Sequence, residues 1–167
     1  MKQPKEGLNF QPDSDQGAAL LAWWKSLDNR RGPRAELRRC RNAAEVLMTQ
    51  EFYNALRSIN PGEKTSIEDF ARVVGLLAHV EQHEPGNPFA KRLARGDERS
   101  APLVSGLRFR RLLNVDVDDL YLPMLRILRL AGRKANIHDF AASVFWWNER
   151  TRKDWARHYY ENAMDQA

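Results

Sequence analysis

The stretch Thr65-Ser66-Ile67-Glu68-Asp69-Phe70-Ala71-Arg72-Val73-Val74-Gly75-Leu76-Leu77-Ala78 opens with capping-box spacing and continues with apolar residues at helical intervals. Ile67, Phe70, Val74, Leu77 and Ala78 form one stripe, which predicts an amphipathic helix running to about residue 82. The same grammar recurs on both sides. Upstream, Ser14 or Asp15 can cap a helix over about 15–28 that carries Leu20, Trp24 and Leu27 at i, i+4, i+7. Pro33 suits the first turn of a second helix, Asn42-Ala43-Ala44-Glu45 can restart one, and Phe52, Leu56 and Ile59 mark another that stops at Asn60-Pro61-Gly62. Downstream, Leu120, Met124, Ile127 and Leu128 form a stripe that Gly132 ends. Asn136-Ile137-His138-Asp139 then opens a long last helix, with Ile137, Phe140, Val144 and Trp147 on one face and Trp146, Arg150, Lys153 and Arg157 on another. No alternating β pattern of useful length interrupts this series, so the expected class is all-α.

Breaks divide the chain. Residues 1–13 are polar with Pro and Gly and read as a loose arm. Residues 14–84 form an N-terminal helical lobe. The run Glu84-Pro85-Gly86-Asn87-Pro88 and the basic stretch after it, residues 85–103, read as a flexible positive linker. Residues 104–167 form a C-terminal helical lobe. At 167 residues the chain has room for two such lobes.

Charge is distributed in blocks. Residues 30–41 hold six arginines against Glu36, residues 42–90 carry a net −4, and basic excess returns over 91–111, 124–134 and 150–158. Of 27 basic residues, 20 are arginine, whose planar fork matches phosphate in two-point fashion. Arg34, Arg38 and Arg41 fall at i, i+4, i+7 as one expected stripe, about 10 Å long at 1.5 Å per residue. Arg108 and Arg111 share a second face at i, i+3. Such stripes point to a polyanion and to backbone contacts without base reading. No zinc finger, basic zipper or RNA-recognition signature is present.

Catalytic patterns are missing. The chain has no phosphate loop, dinucleotide fingerprint or nucleophile elbow, and its single cysteine, Cys40, excludes an internal disulfide and multi-cysteine metal sites. His79 and His83 stand at i, i+4 on the expected helix, but Val80 occupies the place where a zinc protease needs glutamate, so a surface histidine pair is the plainer reading. Cys40 lies beside Arg39 and Arg41 without a partner base and reads as buried and structural. In Trp23-Trp24 and Trp146-Trp147, one member of each pair can face the core while the other sits at a lobe edge. No cofactor, metal, membrane span or export signal is indicated, which makes a cytoplasmic location the expectation.

Leu21-Ala22-Trp23-Trp24-Lys25-Ser26-Leu27-Asp28, followed by Arg34-Ala35-Glu36-Leu37-Arg38-Arg39, resembles the N-terminal signature of the CasB family. The blocks Leu107–Leu113, Leu125–Leu130 and Trp146–Arg150 continue the likeness, which covers about residues 18 to 160. CasB proteins are the small subunit of the type I-E CRISPR Cascade complex. The resemblance implies a non-catalytic subunit of two helical lobes, present as two copies beside the backbone and large subunits. It implies that basic surfaces contact the target and displaced strands of crRNA-guided DNA and stabilise the R-loop in antiviral defence. Carried over by position, the basic residues are Arg38, Arg39, Arg108, Arg126 and Arg150. Asn114 and Glu149 stand where the family can carry a basic residue, which shifts part of the expected track to Arg111, Arg129 and Arg152. A free-standing helical DNA-binding regulator is the alternative from another class.

Overall fold

The computed structural model describes residues 7–96 and 101–163; residues 1–6 of the expected arm, 97–100 of the expected linker and 164–167 lie outside the described residues. The chain divides into two compact units, Met1–Ala78 and His79–Ala167. Apart from two strands of two residues each, the regular structure of the described residues is helical, and the fold is all-α.

The first unit holds α1 (Asp15–Ser26), a short 3-10 turn over Leu27–Asn29, α2 (Arg31–Arg38), α3 (Ala43–Val46), α4 (Gln50–Ile59) and α5 (Ile67–Leu77). Four of these starts are chemically marked. The side-chain oxygens of Ser14, Asn42, Thr49 and Ser66 accept the backbone N–H of Gly17, Glu45, Phe52 and Asp69, each such cap contributing about 1 kcal/mol. Asn60 takes the left-handed conformation, φ 51°, that closes α4. Leu20, Leu27, Leu37, Phe52, Ile59 and Phe70 are buried in the core. Helix α5 is buried without interruption from Phe70 to its end at Leu77, the pattern of a central helix rather than one with a wet face. Only at its start does the expected stripe fail, because Ile67 in the first turn is exposed.

Three local expectations are corrected here. Leu8 and Phe10 are buried, so the described part of the 1–13 segment is attached to the core rather than a loose arm. A Cβ at Gly17 would lie 1.9 Å from the Gln11 carbonyl oxygen, so the close approach of this segment to α1 requires glycine there. Trp24 is buried along with Trp23, so neither sits at an edge. Finally, α2 stops at Arg38, and Arg41 follows the helix instead of extending its stripe.

In the second unit, β1 (Gln82–His83) lies parallel to β2 (Lys134–Ala135), accompanied by α6 (Phe89–Arg95), α7 (Gly106–Leu113), a 3-10 turn over Val117–Asp119, α8 (Tyr121–Leu130), α9 (Ile137–Phe145) and α10 (Glu149–Ala163). The helix expected to reach residue 82 ends at Leu77 because the next residues bond elsewhere. Glu81 and Gln82 N–H both donate to Arg133 O, so long-range pairing takes amides that a helix to residue 82 would use, and Glu84 N–H donates to Ala135 O beyond them. The division between units accordingly falls at Ala78 rather than near residue 85.

Within the expected linker, residues 89–95 are a helix rather than a flexible loop. Helix α6 lies against α10, with Phe89 edge-on to Phe140 at 5.1 Å and to Trp155 at 5.7 Å. Its Arg92 is buried. Nε and Nη2 donate to Ala131 O at the C-terminal end of α8, at 3.0 and 2.7 Å, and Nη1 meets Glu84 at 3.2 Å. A cation on the last carbonyls of a helix satisfies orphan acceptors and complements the helix dipole. The expected single last helix is also two. Trp147 Nε1 donates to Val115 O, and Asn148 Oδ1 caps a new start by accepting from Thr151 N–H, so the chain breaks between Phe145 and Glu149. Trp147 is buried and Trp146 exposed, the division expected for that pair.

Candidate nucleic-acid interface

Helices α7 and α8 of the second unit enclose a groove of about 600 Å³. Ser105 caps α7 by accepting from Arg108 N–H. Pro123 falls in the first turn of α8, where a missing N–H costs least. The helical periodicity then places Arg108 and Arg111 along one wall and Arg126 and Arg129 along the other. All four are exposed, and none forms an ion pair with a carboxylate of the described residues. Sequence reasoning named these four without showing that they share one groove. It missed the apolar lining. Pro123 and Leu130 stand outside the core stripe of α8, and they line the groove together with Val115 and the buried Ile127 and Leu112. Pro123 and Leu130, apolar residues of α8 outside its core stripe, were the available signal.

The other arginines divide into exposed and committed. Arg39, Arg41 and Arg150 are exposed. Arg34 is half-buried and pairs with Asp28 at 3.3 Å. Arg38 is half-buried, and its Nε donates to Ala78 O at 2.8 Å, sealing the end of α5 as Arg92 seals α8. Arg152 is half-buried: Nη2 donates to Val115 O at 2.8 Å, and the guanidinium carbon lies 5.8 Å from the Trp147 ring centre. Its geometry braces the groove wall at Val115. In the first unit an arginine that sequence reasoning passed over, Arg30, meets buried Glu51 at 2.8 Å.

The candidate reactive groups are placed as follows. His79 is buried and lies beyond the end of α5, and His83 is in β1, so they do not form a surface pair on one helix. His83 Nδ1 accepts from Ile137 N–H at 3.1 Å, and its ring lies edge-on to His138. Among the described residues, no group of three or more His, Cys, Asp or Glu is placed to hold a metal ion. Cys40 is buried. Burial pushes its thiol up, with Glu45 and Glu36 acting the same way against Arg39, so the arginines beside it do not activate it. No helix of the described residues is long and apolar enough to cross a membrane.

The structure is that of an all-helical protein whose α7–α8 groove carries four exposed arginines without an ion pair to a described carboxylate. Its sequence matches the family described as CRISPR-associated protein Cse2 over residues 33–160, and the chain belongs to that family, in agreement with the CasB resemblance. A chain in the crystal structure of E. coli Cascade bound to a PAM-containing double-stranded DNA target shares the fold. Its TM-score is 0.70 at 21% identity, and the alignment covers 89% of this chain and 96% of that one. No curated protein matches this chain.

Proposed function

We propose that this protein is a non-catalytic subunit of a Cascade-type CRISPR complex. In this reading it serves as two copies beside the backbone and large subunits, and its arginine faces hold the target and displaced strands of the crRNA-guided R-loop. The observation that carries this reading is the α7–α8 groove, where four exposed arginines stand with no described carboxylate to neutralise them. Membership of the Cse2 family supports it. Arginines that face phosphates in this way add affinity without sequence choice and make binding fall steeply with salt. Arg39, Arg41 and Arg150 extend the basic surface within their own units, while Arg34, Arg38 and Arg152 contribute from partly committed positions.

The test is R-loop lifetime in the reconstituted complex. An Arg39→Ala/Arg126→Ala variant, folded by circular dichroism and still incorporated, should shorten that lifetime. The two changes should combine nearly additively, as for independent phosphate contacts. An unchanged lifetime, or tight preference of the isolated protein for one duplex operator over a random single strand, overturns the proposal. Nucleic acid incubated with the pure protein and Mg²⁺ or Mn²⁺ should remain intact on a denaturing gel. Cleavage that disappears on replacing His79 or His83 would make the protein an enzyme.

A further inference from the structure

We propose that the α7–α8 groove takes unstacked nucleobases of a single strand, so that binding there has a base-contact part beside the phosphate contacts. This rests on the nucleic-acid reading above and specifies what the groove holds. Its lining is the reason. On the α8 wall Leu130 is 41% exposed and Pro123 partly exposed, with buried Ile127 between them in sequence. Phosphate oxygens gain nothing from an apolar surface and lose hydration against it. The flat face of a base gains by covering it, while the strand's phosphates remain within reach of the arginine rim.

Three features select this occupant. In a duplex the base faces are stacked and only edges show in the grooves, so apolar contact with a face requires a single or opened strand. All four rim cations are arginine, whose plane can stack on a base as well as pair with phosphate. The volume of about 600 Å³ is that of a small-ligand site, whereas a docked peptide helix needs a long groove with anchors at successive turns. The wall is also fixed beforehand, because Val115 O accepts from both Trp147 Nε1 at 2.9 Å and Arg152 Nη2 at 2.8 Å. A preformed wall lowers the ordering cost of binding.

Three probes of equal length test this with the full chain: a mixed-sequence DNA strand, an abasic strand with the same phosphates, and a duplex. The intact strand should bind at least about five-fold more tightly than the abasic one, the low end of what base stacking contributes per base. That ratio should persist as salt rises, because both strands present the same charge. Leu130→Gln, a change at an exposed position, should lower intact-strand affinity toward the abasic level and leave abasic affinity unchanged. Arg126→Ala should lower both. Equal affinity for intact and abasic strands overturns the base contact while leaving phosphate binding in place. Failure of both strands to bind at low salt overturns the nucleic-acid reading itself, and so does capture of an acidic amphipathic peptide in their stead.

Discussion

Replacing Arg108, Arg111, Arg126 and Arg129 together by alanine should flatten the salt dependence of single-strand binding. Each phosphate contact adds roughly 0.7 to the slope of log K against log salt for a single strand, so four lost contacts remove nearly three units of slope. The loss should be greatest at low salt and shrink as salt rises, since screened contacts have less left to lose. Single changes should be modest because exposed charges individually contribute little. The variant should fold, since all four side chains are exposed and none forms an ion pair with a described carboxylate. Fluorescence anisotropy across a salt series, beside a thermal melt, gives both quantities. A slope unchanged within one unit would place the phosphate contacts elsewhere, on Arg39, Arg41 or Arg150.

The groove arginines were legible because their signal is local. Spacing of three or four residues on a helix fixes a shared face whatever surrounds it, and the core stripe of α8 was legible for the same reason. What escaped was set by partners distant in sequence. Nothing near residue 80 announces that Glu81 and Gln82 will bond to Arg133, 50 or so residues later, and that pairing ends α5 early. Nothing near Trp147 announces that its indole will meet Val115 O and help divide the last helix. The basic stretch containing Arg92 reads as solvated by composition. Its burial depends on an orphan carbonyl at the end of α8, which is a tertiary fact. The same holds for Arg38 and Arg152. Arginine count marks a basic surface well, but half-buried guanidiniums that close helix ends or brace loops look identical in a sequence.

Glu51 is where the first unit should prove most sensitive. The residue is 1% exposed, and its carboxylate accepts from Trp23 Nε1 at 2.9 Å, Arg30 Nη1 at 2.8 Å and Asn54 Nδ2 at 3.0 Å. Burial alone would raise its pKa; hydrogen bonds from Arg30, Asn54 and Trp23, with the Arg30 charge, outweigh that and hold it below the ordinary value. Glu51→Ala removes the common acceptor of three donors, one of them on a buried indole. The expected cost is about 3 kcal/mol, at the lower end for breaking a buried pair because Arg30 keeps access to water. That is a large fraction of a typical domain's stability and should appear as a fall of roughly 10 °C in the melt. The pH dependence follows from the lowered value. The stabilisation is complete above the unfolded glutamate's pKa of about 4.3, and it is lost as pH falls through the folded one. Glu51→Gln, which lacks that titration, should therefore be less stable than the natural protein at pH 7. The gap should narrow steadily as pH drops below about 4, measured by urea unfolding at each pH. A gap that stays constant down to pH 3 would mean that the charge of Glu51 contributes nothing and that only its shape is needed.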